Sequence, residues 1–124
     1  MNELSSSESP ESTLRKFAQC MHDRDLDGLV ALYEPEAIFA AEPGRTVKGH
    51  DGLRVMFQEL FGIKPAIQLV TTQVHECGDL ALVNNDWTLS GTAPDDTPVI
   101  KSGCSTVVLR RSSEATWLIA IDRP

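Results

Sequence analysis

The chain has 124 residues, 41% of them apolar and 23% charged, with 11 basic side chains against 18 acidic ones and a net charge of −7. That length provides one domain with its own core and no more. The acidic balance excludes a nucleic-acid partner, whose phosphates demand a basic patch, and no apolar stretch approaches the roughly 18 residues that would cross a bilayer.

The opening MNELSSSESPES lacks the basic start and apolar run of a secretory signal. Residues 1–8, polar and serine-rich, are expected to form a disordered tail, with residues 9–124 as the single folded domain. Ser9-Pro10-Glu11 reads as a helix start: serine caps free amides, proline suits the first turn, and glutamate faces the positive end of the dipole. Leu14, Phe17, Ala18 and Met21 then recur on one helical face through about Arg24. Asp25 can cap a second short helix carrying Leu26, Leu29, Val30 and Tyr33, which Pro35 stops. Residues 1–36 hold eight acids against three bases, so most of the negative charge belongs to the tail and these two helices.

Ala37 to Ala41 is a short β-prone run, closed by the turn signal Glu42-Pro43-Gly44. Following Thr46-Val47-Lys48-Gly49, the residues Leu53, Met56, Phe57, Leu60 and Phe61 share one helical face, and Gly62 is placed to end that helix. Beyond Pro65 the period becomes extended. Strands are predicted over Ile67–Glu76, Leu80–Gly91, Val99–Arg111 and Thr116–Arg123, joined by short turns as an antiparallel meander. Helices, a small strand, a helix and then a sheet make an α+β plan.

Strand faces point to a pocket. Ala81, Val83, Asn85, Trp87 and Leu89 alternate onto the more apolar face of their strand, which should meet the helices. Asn85 in that oily row needs hydrogen bonds, either to neighbouring backbone as a structural amide or to a ligand. On the last strand, Trp117, Ile119 and Ile121 share one face and Leu118, Ala120 and Asp122 the other, both largely apolar. One of those faces is expected to meet helices and the other something else, such as a second subunit. Asp122 is either an exposed strand-end carboxylate paired with Arg123 or Arg110, or a shielded one whose raised pKa suits acid/base work near neutral pH.

Glu42 stands at the end of the first strand, as a turn residue or at the mouth of a cavity. Tyr33 offers a hydroxyl. His22, His50 and His75 have no metal-ligand spacing, and no GxSxG, phosphate loop or HExxH occurs, so no metal or cofactor is expected. Cys20, Cys77 and Cys104 form no CxxC pair; free thiols fit a reducing cytoplasm.

The run from Phe17 to Tyr33, with its Asp25-Leu26-Asp27-Gly28-Leu29 phrase, resembles the opening of the SnoaL-like and ketosteroid-isomerase-like proteins of the nuclear-transport-factor-2-like superfamily. The helix led by Gly49, the strand start Gly78-Asp79-Leu80-Ala81, and Trp87, Gly103, Arg110-Arg111 and Trp117…Asp122-Arg123-Pro124 extend the similarity over roughly residues 12–124. The resemblance implies a cone-shaped, curved antiparallel sheet around three helices (a cystatin-like roll) with a deep pocket, in a homodimer packed sheet to sheet. It implies Asn85, Trp87 and Asp122 pointing inward, with Phe17, Met21, Tyr33, Phe39, Phe57 and Phe61 lining the cavity. The places of the isomerase's catalytic residues hold other side chains: Phe17 for its tyrosine, Ala41 or, with one insertion, Glu42 for its basic aspartate, and Thr106 near its second aspartate. A true ketosteroid isomerase is therefore not expected, and the Asp–Arg–Asp set of the epoxide-hydrolase relatives has no place here. SnoaL-type cyclases resemble the chain in a last-strand carboxylate, here Asp122. The expectation is a pocket for a compact, oxygenated, mainly apolar molecule, with Asp122 as acid/base and Asn85 as donor to the substrate oxygen. The alternative is a non-catalytic ligand-binding or dimerisation domain; neither nucleic acid nor membrane is a partner in either case.

Overall fold

The computed structural model describes residues 9–112 and 115–124. The expected tail, residues 1–8, lies outside the described residues, as do Ser113 and Glu114 of the last turn.

Helix α1 spans Pro10–Asp23, capped by Ser9, whose hydroxyl accepts a hydrogen bond from the Ser12 amide at 3.1 Å. Its stripe of Leu14, Phe17 and Met21 is buried, each side chain contributing about 2 kcal/mol. Thr13 Oγ1 donates to the Trp117 carbonyl at 2.7 Å and ties the helix to the last strand. Asp25 caps helix α2, Leu26–Val30, by accepting from the Gly28 amide at 3.0 Å.

The second helix does not reach Tyr33. Strand β1 runs Tyr33–Glu42, longer than the expected Ala37–Ala41, and Pro35 lies within it instead of stopping a helix. Pairing begins at Leu32, whose carbonyl accepts from the Ile119 amide at 2.8 Å. Tyr33 points into the core from either structure, so its apolar spacing does not tell helix from strand. Strand β2, Arg45–Lys48, returns as a hairpin where the sequence shows only a connection. Helix α3, Gly49–Leu60, buries Leu53 and Phe57. Gly62 does not terminate it: a 3-10 turn over Phe61–Ile63 follows, and Lys64, at φ 51°, makes the left-handed exit.

Strands β3 (Ala66–Cys77), β4 (Leu80–Thr92), β5 (Pro98–Arg111) and β6 (Trp117–Arg123) form the meander the alternation predicts. The six-stranded sheet has the order β2-β1-β6-β5-β4-β3, is curved and does not close. One pair departs from the antiparallel expectation: β1 and β6 are parallel. A long connection through α3 and the meander separates them, so no hairpin forces a reversal there. The helices pack on the inner face, where Ala81, Val83, Val107, Leu109, Trp117 and Ile119 meet the stripes of α1 and α3. The plan is α+β.

A bulge decides where the last strand points. Leu109 pairs with Ile119 and Val108 with Ile121, leaving Ala120 as an extra residue. Such an insertion shifts the side-chain alternation by one. Asp122 therefore joins Trp117 and Ile119 on the inner face, and Ile121 turns outward, 41% exposed. The strict alternation read from the sequence groups these residues differently because it contains no bulge.

Candidate active site

A cavity of about 130 Å³ opens between α1, α3 and the inner face of the sheet. Its walls are mostly hydrocarbon: Phe17 and Met21 from α1, Phe57 from α3, Phe39 from β1 and Ile67 and Leu69 from β3. Phe17 and Phe39 each present an edge-to-face contact to Phe57, at 6.2 and 6.0 Å between ring centres. The polar lining residues are Asn85, Ser105 and Asp122, and Trp87 contributes its indole ring. Among the described residues no lining residue is Lys, Arg or His, and no cluster of three possible metal ligands occurs.

Asp122 is the ionisable group in that wall, 7% exposed. Tyr33, buried beneath it, donates its phenol hydrogen to Asp122 Oδ2 at 2.7 Å. Among the described residues nothing donates to Oδ1. Burial raises the carboxyl pKa from 3.8 to about 6, and the tyrosine hydrogen bond partly offsets that rise. The same burial, together with the neighbouring carboxylate, pushes the Tyr33 phenol well above its ordinary value, so Tyr33 stays a neutral donor. The pair is a shielded base with one oxygen held and one free, able to accept or return a proton close to neutral pH.

Asn85 sits differently. Its Oδ1 accepts from Thr71 Oγ1 at 2.8 Å and its Nδ2 donates to Ser105 Oγ at 3.1 Å. The three residues stand opposite one another on β3, β4 and β5 and make a polar row across the inner face. One amide hydrogen of Asn85 and the hydroxyl hydrogen of Ser105 remain uncommitted in this arrangement.

Trp87 follows two residues along β4, opposite Gly103. A Cβ at Gly103 would lie 2.9 Å from the indole Cζ2, so the missing side chain is the seat of the ring. The indole Nε1 is buried with no hydrogen-bond partner. An unpaired buried donor costs on the order of 1–3 kcal/mol.

Residues 14–113 match the SnoaL-like domain. The chain belongs to the SnoaL-like family. Solved structures share its fold at low identity. A conserved protein from Planctomyces limnophilus is 16% identical with a TM-score of 0.84, covering 99% of this chain and 94% of that one. A ketosteroid isomerase-like protein from Erwinia carotovora atroseptica is 18% identical with a TM-score of 0.80, over 99% and 95%. An NTF2-like protein with a cystatin-like fold from Novosphingobium aromaticivorans is 16% identical with a TM-score of 0.79, over 98% and 82%. Among curated proteins none matches.

Within this SnoaL-like domain, Phe17, Met21, Phe39, Phe57, Asn85, Trp87 and Asp122 lie around one cavity. Other expected positions lie elsewhere. Tyr33 stands behind Asp122 and touches the cavity only through it. Phe61 sits in the 3-10 turn, half-buried against the core and outside the lining. Glu42 is exposed at the β1–β2 turn, 4.0 Å from Arg45, because β1 carries it past the helices into solvent. Thr106 lies on the outer face, accepting from Asn84 Nδ2 at 3.0 Å, since alternation along β5 turns Ser105 inward instead. No local sequence pattern marks Ser105 or Thr71 as part of the site. Carrying the Thr92–Pro98 pairing down the hairpin places Ser105 opposite Asn85, so the signal was the register and not the residue type. A larger depression of about 520 Å³ between β2 and α3 is a surface groove lined by Arg45, Lys48 and Glu59 with Val47, Val55 and Met56. No helix among the described residues is long and apolar enough to cross a membrane.

Proposed function

We propose that this SnoaL-like domain is an acid/base enzyme that moves a proton on a compact, oxygenated, mainly apolar substrate, with Asp122 as the catalytic base and acid. The observation that carries the reading is the carboxylate itself: buried in an oily cavity wall, tied at one oxygen by Tyr33 and free at the other. A carboxylate left there without a cation is costly to the fold, and proton transfer gives it a use. Ionised above pH 6, Asp122 Oδ1 removes a proton from a carbon next to the substrate carbonyl. The electron pair moves onto the carbonyl oxygen as an enolate, and the protonated Asp122 then returns the proton to the same or a neighbouring carbon. The remaining Asn85 amide hydrogen and the Ser105 hydroxyl are the donors offered to that oxygen, within a water-poor wall where such bonds count most. Enolisation, isomerisation and cyclisation all use this step.

Association of two copies through the outer sheet face belongs to the same proposal. Val70, Leu80, Leu82, Ile100 and Ile121 are exposed there. Light scattering at micromolar concentration should report a dimer; a monomer overturns this part alone.

Deuterium exchange at the carbons beside the carbonyl of cyclohexanone, followed by NMR in heavy water, tests the chemistry. The protein should accelerate exchange with an acid limb near pH 6, and Asp122→Asn should slow it by roughly 10²–10⁴-fold. No acceleration over buffer, together with an Asp122 carboxyl carbon titrating near 4, would overturn the enzyme reading in favour of a non-catalytic ligand-binding domain.

A further inference from the structure

We propose that the cavity is a receptor for a small organic ammonium ion: a protonated primary amine on an uncharged apolar body, its N–H donating to Asp122 Oδ1. Such a cation binds in place of a substrate whether or not a proton moves. It goes beyond the acid/base reading while resting on the same cavity as the ligand site.

The first observation is an open acceptor. Asp122 is 7% exposed, and Tyr33 occupies its Oδ2. Among the described residues, the buried side-chain polar atom that is both sealed and unpartnered is the Trp87 nitrogen. Asp122 Oδ1 has no partner either, yet it is not sealed, so it is reached from the cavity that Asp122 lines. Buried polar atoms are almost always paired, and a carboxylate oxygen left open calls for a donor from outside the fold.

The second is the missing counter-charge. The cross-strand neighbours of Asp122 are Phe39 on β1 and Val107 on β5, both hydrocarbon. Tyr33 reaches the carboxylate as a neutral phenol. Helices α1 and α3 and strands β3, β4 and β5 bring no titratable side chain to the lining, so Asp122 is its one ionisable group among the described residues. Ionised there, the carboxylate has lost hydration that nothing replaces, which is why its pKa stands near 6. That cost falls at folding, before any ligand arrives. An arriving ammonium recovers it; an arriving carboxylate or phosphate adds to it.

The third is the distribution of polarity over the wall. Asn85, Ser105 and Asp122 are buried, whereas Leu60, Ile67 and Leu89 of the same lining are half-buried. The charged end of a ligand therefore belongs at depth, and its body lies along hydrocarbon toward the opening. An alkyl or aryl body suits that wall. The second ammonium of a short diamine would be set against hydrocarbon and lose affinity.

Three probes of similar shape test the charge: benzylamine, benzyl alcohol and benzoate, titrated by calorimetry. At pH 7.5 the protonated amine should bind about tenfold more tightly than the alcohol, and benzoate more weakly than either. Asp122→Asn, which keeps the shape of the side chain, should remove the preference for amine over alcohol. In the wild type, amine affinity should fall about tenfold from pH 7.5 to pH 5 as Asp122 takes up its proton while the amine stays charged. Saturating benzylamine should also draw the titration of the Asp122 carboxyl carbon below 6. Equal affinity for amine and alcohol, a preference that survives Asp122→Asn, amine binding that ignores pH, or no binding of the amine would each overturn the inference. The pH series uses the wild-type chain alone and stands even where the variant folds poorly. None of these readings needs turnover. Amine binding without deuterium exchange would count against the enzyme reading alone, and retained exchange without an amine preference would count against the ammonium site alone.

Discussion

The inner face of the sheet buries polar side chains in two regions, and it treats them in opposite ways. On β3, β4 and β5, Asn85 is 1% exposed, and neutral partners hold its amide on both sides, Thr71 at the oxygen and Ser105 at the nitrogen. On β1 and β6, Asp122 is buried nearly as well, yet it is ionisable, has one hydrogen bond at Oδ2 and faces a cavity with its other oxygen. The first region follows the ordinary rule for buried polarity and stiffens the sheet. The second breaks it: desolvation there works against the charged form and carries the carboxyl to about 6. A fold retains a conflict of that kind where the strain has a use.

The contrast predicts opposite consequences for stability, and the largest belongs to Asp122. Its folded pKa of about 6 lies above the ordinary 3.8, so the folded chain holds the proton more tightly between those values. The stabilisation from this group is complete below about pH 4 and is lost as pH rises through 6, amounting to about 3 kcal/mol. Asp122→Asn removes the titration. In urea unfolding the variant should therefore gain on the wild type by about 1–3 kcal/mol at pH 8, with the gain shrinking toward pH 4.5. A difference independent of pH would show that the carboxyl does not titrate in the buried state described here.

Asn85→Ala should move the other way. The substitution leaves the Ser105 hydroxyl buried without its amide partner and enlarges the cavity, at a cost of about 2 kcal/mol at any pH between 5 and 8. The NMR titration of Asp122 should stay where it is, because the polar row does not touch the carboxylate. A shift in that titration would join the two regions into one network and end the comparison.

The two regions also differed in how far the sequence disclosed them. Period-two alternation over 80–91 put Asn85 and Trp87 inward, and β4 is regular enough for that to hold. Hairpin register, which needs the turn positions first, was required to find Ser105. On the other side, local irregularity hid the geometry. Ala120 is an extra residue that moves Asp122 to the opposite face, and a bulge leaves no mark in a run such as Leu118-Ile119-Ala120-Ile121. The spacing Leu26, Leu29, Val30, Tyr33 fits a helix, yet the helix ends at Val30 and Tyr33 opens β1. The family resemblance carried Asp122 inward where periodicity alone could not. No residue pattern announced its hydrogen bond to Tyr33, whose partner lies 89 positions away. Long-range side-chain pairs across a parallel strand contact are beyond what local period can encode.

The smallest expected effect tests that pair. Tyr33→Phe keeps the ring that packs 5.8 Å from Phe57 and removes only the hydroxyl. The hydrogen bond favours the ionised carboxylate and so lowers the Asp122 pKa against the rise from burial. Without it the pKa must climb further, and the acid limb of cyclohexanone exchange should move to higher pH. Loss of a charge-assisted bond should also cost about 1 kcal/mol at pH 8, where Asp122 is ionised, and less at pH 5, where the neutral acid needs the donor less. Tyr33 acts through Asp122, so exchange should persist on the shifted plateau. Its complete loss would make the phenol a proton donor in its own right, and an unmoved limb would mean that the 2.7 Å contact does not tune the base. The shifted, surviving profile separates a positioning tyrosine from both, and with it a carboxylate held at one oxygen from an amide held at two atoms.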